Sequence, residues 1–145
     1  MFLTRSAIMI EARSWIGTRY RHQASVKGVG CDCLGLIRGV WRNLIGDEPE
    51  PMRAYAPDWA EATGDETLAG VGFRHLVSID PQNYATGDVL LFRWREGFIA
   101  KHAAIVSESG RMIHAHDGAS VCEVALAPWW QRRIAYAFAF PGVMD

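Results

Sequence analysis

No apolar run in this 145-residue chain is long enough to cross a bilayer; the longest are short and broken by charge. Nor does one sign of charge dominate. Fifteen Lys and Arg stand against sixteen Asp and Glu, a formal net charge of -1. No basic field therefore draws the chain to nucleic acid or to an acidic membrane surface. Cysteine is scarce and odd in number, three in all, which argues against a disulfide framework. A secretory leader is also missing from the pattern. In MFLTRSAIMIEARSWIG the only early positive charge is Arg5, and the apolar stretch Ala7 to Ile10 stops at Glu11, too short for a signal-peptide core. The expectation is synthesis in a reducing cytoplasm. Internal repeats and low-complexity tracts are absent as well.

What remains is an ordinary globular balance, half hydrophobic and about a fifth charged. The length suits one domain, residues 1–145, around one core. Residues 5–16 read as an amphipathic helix with Ile8, Ala12, Trp15 and Ile16 on one stripe, capped by Thr4 or Ser6 and stopped by Gly17. Residues 18–31 read as loop. Residues 33–45 give the clearest helix: Leu36, Ile37, Val40, Trp41 and Leu44 recur at helical spacing, with Asp32 as N-cap and Gly46 as stop. The Glu-Pro-Glu-Pro stretch within 47–64 reads as a solvated loop, a lid or docking surface. A helix at 65–76 would be capped by Asp65. Five strands follow at 88–94, 102–107, 111–116, 120–126 and 134–140. Helices first and consecutive strands after imply an α+β fold with an antiparallel sheet of about five strands.

The chemistry gathers around Cys33. With Asp32 as N-cap, Cys33 is the first helical residue, where unpaired N–H groups and the helix dipole favour an anion. A lowered thiol pKa is the expectation there. Cys33 also starts the buried stripe of Leu36 and Ile37, so its sulfur should face the sheet. The competing reading is a small buried hydrophobe.

The second cluster is histidine. His102, Ala104 and Val106 share one strand face; Met112, His114 and His116 share a face of the next. A two-residue Ser109-Gly110 turn would oppose these faces. A three-residue loop, Glu108-Ser109-Gly110 with Gly110 left-handed, would make paired positions sum to 218. His102 would then lie opposite His116 and diagonal to His114, all on one face. One imidazole can take a thiol proton while a second polar group orients it.

Together these pieces resemble the NlpC/P60 family of cysteine peptidases. Asp32-Cys33-Leu34-Gly35-Leu36 resembles the family's Asp-Cys-Ser-Gly-Leu, and Gly17-Thr18-Arg19-Tyr20 its Gly-Thr-Pro-Tyr. Gly87-Asp88-Val89-Leu90-Leu91-Phe92 resembles a Gly-Asp-Leu-Val-Phe-Phe strand. His102-Ala103-Ala104-Ile105-Val106 is similar to the base-bearing strand, and Met112-Ile113-His114-Ala115 to the strand carrying the third polar residue. The resemblance implies a papain-like fold with Cys33 as nucleophile, His102 as base and His114 as orienting residue. It places Tyr20 near the oxyanion, with the Cys33 backbone N–H as a donor. Asp32, first a cap, has a substrate role as the lesser reading; strand pairing makes His116 a substrate-side group; no metal or cofactor is expected. The implied substrate is the peptide stem of bacterial peptidoglycan, cut between γ-D-glutamyl and a diamino acid. Leu34, Arg19 and His22 depart from the family pattern, and 47–86 is longer than in compact members. Gly-Cys-Asp-Cys-Leu-Gly-Leu and Tyr-Arg-His-Gln resemble the branch in tailed-phage and gene-transfer-agent tails. That implies tail tip or hub proteins as partners, and action at the cell wall from a tail particle.

Two rival readings stand beside this one. Cys31, Cys33, Cys122, His102, His114 and His116 offer zinc ligands, although Cys-x-Cys is not the usual spacing. Alternatively, the fold serves as a non-catalytic tail component. Cys31 reads as a packed neighbour and Cys122 as core. Trp94, Trp129 and Trp130 read as core or groove wall, and Asp117 as a substrate group or strand end.

Overall fold

A computed structural model describes residues 3–50 and 66–145. Thr4 caps the first helix, α1 (Arg5–Arg13), by accepting from the Ala7 N–H. The helix ends earlier than the pattern predicts. Ser14 is its C-cap, and the chain turns on to Gly17, which takes a positive φ of 92°. Ile8, Ala12 and Trp15 are buried as expected, but Ile16 is 45% exposed because it lies on that turn and not on the helical stripe.

The segment read as loop contains a miniature hairpin, β1 (Ser25–Val26) with β2 (Gly30–Cys31). Helix α2 (Cys33–Leu44) follows, with Asp32 as N-cap accepting from the Gly35 N–H at 2.7 Å. Two glycines let α2 sit close to its neighbours. A side chain at Gly35 would strike the Ala24 carbonyl, and one at Gly39 would strike the Trp15 ring. Trp15 donates to Glu11 and packs α1 against α2.

Helix α3 (Thr67–His75) occupies most of the range predicted for it. Its N-cap is Glu66, with no side-chain capping bond; Asp65 and most of the 47–64 stretch lie outside the described residues. Gly72 meets the Phe138 ring, which seats α3 on the sheet.

The main sheet has six strands, not five: β3 (Val77–Ile79), β4 (Val89–Arg93), β5 (Ala100–Val106), β6 (Arg111–His114), β7 (Cys122–Ala125) and β8 (Ile134–Ala139), with a short helix α4 (Pro128–Gln131) before the last. The order is β3-β8-β4-β5-β6-β7, and each of these neighbours is paired antiparallel. The missed strand β3 has three residues and an exposed flank, so it carries no alternation to read.

Both sheet faces are buried. One packs Val89, Leu91, Ala103, Ile105, Ile113 and Phe138 against the helices. The other packs Leu90, Phe92, Ala104, Val106 and Met112 beneath Trp130 and Leu126. Asp88, 1% exposed, accepts from the Arg5 guanidinium at 2.8 Å and from the Ala85 N–H, tying α1 to the start of β4. Leu3 bridges Val143 in parallel, so the two ends of the described chain lie side by side. No helix among the described residues is long and apolar enough to cross a membrane.

Candidate active site

The site lies where the N-terminus of α2 meets β5. Asp32 fixes that N-terminus from both sides. One carboxylate oxygen accepts from Gly35 and the other from the Gln23 N–H at 2.7 Å, while the Asp32 N–H donates to the Ala24 carbonyl. Asp32 is 3% exposed, and this is primarily a structural role. Gln23 holds a left-handed φ of 67°, the only described non-glycine residue to do so, at the point where its amide meets Asp32.

With the helix start held, the Cys33 sulfur lies against the sheet, accepting from the backbone N–H of Ala103 on β5 and from the Leu34 and Cys33 amides. The expected direction of the thiol is therefore observed. Its expected acidity is not. Burial, and then the Asp32 carboxylate, push the Cys33 thiol up to about 12, outweighing the three amides that pull the other way. A helix N-terminus lowers a thiol most where the sulfur is well solvated and no carboxylate adjoins it; here the half-buried sulfur sits against β5 beside Asp32.

The histidines converge as the hairpin arithmetic requires. Ile105 pairs with Ile113 and Val106 with Met112, both sums being 218, and Gly110 is left-handed at φ 75°. His102 and His114, each 4% exposed, join through His102 Nε2 and His114 Nδ1 at 2.8 Å. The diagonal partner makes this bond, not His116. The ladder ends at His114, and residues 116–119 turn away, the Ala119 N–H donating to the His116 carbonyl. His116 keeps ring-to-ring contact with both, at 5.5 Å from His102 and 5.7 Å from His114. Burial, then the neighbouring imidazoles, hold His102 well below 6.5. Burial and then His116 bring His114 down to about 4. His102 and His114 thus resist a positive charge.

Trp94 stacks on His102 at 5.3 Å, and Trp130 lies 5.6 Å from the same ring and 5.3 Å from His114. Both tryptophans wall the histidine pair. Trp129 stands outside this wall, 45% exposed, with the Arg133 guanidinium 3.7 Å from its ring.

A cleft of about 210 Å³ brings Tyr20, His22, Asp32, Cys33, Trp94, Lys101, His102, His116 and Asp117 together. Tyr20 reaches it because residues 17–20 are laced to two elements. Gly17 and Thr18 exchange hydrogen bonds with Val121, Arg19 bridges Ser120, and Tyr20 bridges Cys31. Burial and then Cys33 raise the Tyr20 phenol to about 12, so it is a neutral donor. Lys101 and Leu68 line the cleft without any local sequence signal; Lys101 is one residue from His102, and Leu68 arrives on α3.

Cys31 is buried and its thiol raised to about 12, in keeping with a packed neighbour. Cys122 is half-buried, not core, and sits opposite His114 in the β6–β7 register. Among the described residues the group able to converge on a cation is His102, His114 and His116, with no cysteine in it.

A family model described as the NlpC/P60 family matches residues 17–138. Murein DD-endopeptidase MepS/Murein LD-carboxypeptidase of Escherichia coli K12 is 28% identical over 130 residues, 89% of this chain and 59% of that protein. Gamma-DL-glutamyl hydrolase of Bacillus subtilis 168 is 30% identical over 111 residues, 74% of this chain and 22% of that protein. The chain thus spans three fifths or less of each of these two relatives. Among solved structures, the NlpC/p60 domain of peptidoglycan hydrolase SagA aligns with a TM-score of 0.65 at 24% identity, covering 95% of this chain and 100% of that one. An NlpC/P60 family protein from Bacillus cereus ATCC 10987 aligns with a TM-score of 0.73 at 19% identity, covering 99% of this chain and 42% of that one. At these identities the likeness is one of fold.

Proposed function

The chain belongs to the NlpC/P60 family, and from that premise we propose that residues 1–145 form one catalytic domain, a cysteine peptidase cutting the peptide stems of bacterial peptidoglycan. The observation that carries this is the placement of Cys33 and His102 on one cleft, the sulfur held at the Ala103 amide and the His102 ring joined to His114. The names of the two curated relatives, a murein endopeptidase and a γ-glutamyl hydrolase, support the substrate class.

The geometry suggests an order of proton moves. At rest Cys33 is a thiol and His102 a neutral imidazole. His102 Nε2 is engaged by His114, which leaves Nδ1 as the basic nitrogen. For that tautomer Nε2 carries the proton and donates to His114 Nδ1, and His114 holds its own proton on Nε2. As sulfur attacks the scissile carbonyl, its proton passes to His102 Nδ1. The oxyanion is received by the Cys33 backbone N–H, with the Tyr20 hydroxyl as a further donor. The imidazolium then gives its proton to the leaving amine, and water, deprotonated by the same nitrogen, cleaves the thioester. His114 is a positioning residue in this scheme, fixing the tautomer.

The finer reading is cleavage between γ-D-glutamyl and a diamino acid. The relatives named above differ in the bond their names specify, so mass spectrometry of fragments from defined muropeptides decides it. A γ-D-glutamyl cut is expected, and a D,D cut would replace that reading. Cys33→Ala should lower turnover by about a thousandfold or more; fragment release at the wild-type rate would refute the nucleophile. Delivery in a phage-like tail, with tip or hub proteins as partners, rests on the Gly30–Leu36 and Tyr20–Gln23 motifs. Proteomics of purified particles from the producing strain should recover the chain; particles without it would overturn that placement.

A further inference from the structure

We propose that His102, His114 and His116 form a binding site for a zinc-class divalent cation, and that filling it switches off hydrolysis at the same centre. The second half rests on the peptidase reading above; the first does not.

One ring nitrogen from each of the three residues lies within 4.8 Å of the others. The arrangement follows from where β5 begins and β6 ends. His114 ends β6 and His116 follows two residues on with its ring stacked on that of His114, while His102 meets both from β5. Zinc binds imidazole nitrogen at about 2.0–2.1 Å, so two such ligands stand about 3.3 Å apart in a tetrahedral site. His102 Nε2 and His114 Nδ1 are 2.8 Å apart, and a small side-chain rotation opens that gap. Burial keeps the His102 and His114 rings neutral, with lone pairs available to a metal. Three nitrogen donors and no carboxylate in the set select a borderline-soft ion over magnesium or calcium. Three protein ligands also leave the fourth position open, toward the cleft that Cys33 lines.

The consequence for the base is direct. In the catalytic tautomer the proton sits on His102 Nε2 and the lone pair on Nδ1. A cation bound at Nε2 requires the lone pair there, so the proton moves to Nδ1. That is the nitrogen needed to take the Cys33 proton. No bond is broken, nothing is oxidised, and removal of the ion restores the tautomer.

The test uses the full chain with Cys33→Ala, which removes the nucleophile and leaves the three histidines. Cobalt titration followed by visible absorption, and zinc titration against a chromophoric chelator, should show about one ion bound per chain. His116→Ala and His116→Gln, in the same background and shown to be folded by circular dichroism, should each weaken binding by about tenfold or more. In the protein with Cys33 intact, zinc should block muropeptide hydrolysis and a chelator should restore it. No uptake by Cys33→Ala at about 0.1 mM zinc would overturn the proposal, and so would uptake indifferent to both His116 substitutions. A zinc effect seen only when Cys33 is present would assign the metal to the thiol and overturn it equally. Binding without any hydrolase activity in the intact protein would leave the site standing and refute the peptidase reading.

Discussion

At the scale of the residue, the governing fact is that Cys33 and His102 are both held uncharged. A preformed thiolate–imidazolium pair needs a site that rewards charge, and this one buries His102 and sets a carboxylate beside a half-buried Cys33. The rate of Cys33 alkylation by iodoacetamide should therefore keep rising through pH 8 and above. A plateau reached below pH 7 would show a resting ion pair instead. Asp32 is the second cause of the raised thiol. Asp32→Asn keeps an N-cap of equal quality while removing the charge, so its alkylation profile should move to lower pH with the fold unchanged. An unmoved profile would mean that burial alone sets the acidity.

At the scale of the element, the motif residues explain themselves through contacts. Gly35 is glycine because the Ala24 carbonyl occupies the space of a side chain, and Asp88 follows Gly87 because its carboxylate anchors Arg5. Gly39→Ala should cost about 1–3 kcal/mol of stability by driving α2 off Trp15, measured by urea denaturation. Gly70, a helical glycine that meets only the far end of the Arg74 side chain, provides a control; an equal loss there would show that glycine flexibility and not the Trp15 contact matters. Much of this level was legible beforehand. Helix α2 announced itself because its stripe, cap and stop agree, and the loop at 108–110 followed from the parity of three histidines. Other features were hidden for physical reasons. β1, β2 and β3 are two or three residues long, too short for a period to register. Ile16 continues a helical pattern that the backbone abandons at Ser14. The acidity of Cys33 depends on burial by β5, which is 70 residues away in sequence, and no local motif carries that information. The choice of His114 over His116 turns on where β6 ends.

At the scale of the whole molecule, the histidine cluster ties stability to pH. His102 and His114 have lowered values in the folded protein, so the unfolded chain binds protons first as pH falls. Their stabilising contribution is full above about 6.5, the ordinary histidine value, and is lost as pH falls toward 4, where His114 itself titrates in the fold. Thermal denaturation midpoints should fall between pH 6.5 and 4, and a variant with His102 and His114 replaced by Gln should lose that dependence. An unchanged slope would assign acid sensitivity to the carboxylates, of which Glu123, held at about 2 by Arg13, is the strongest alternative.

The contact between the Cys33 sulfur and the Ala103 amide also sets a clock. The two residues are 70 positions apart (103 − 33), and the histidine pair needs the hairpin through His114 as well. Closing so long a loop precedes any reward from the contact. Helix α2 can form early from local interactions, but Cys33 meets His102 only when the sheet is in register. On the peptidase reading proposed above, a chain emerging from the ribosome would be inert through most of its synthesis, and cutting power would arrive only once the sheet has closed.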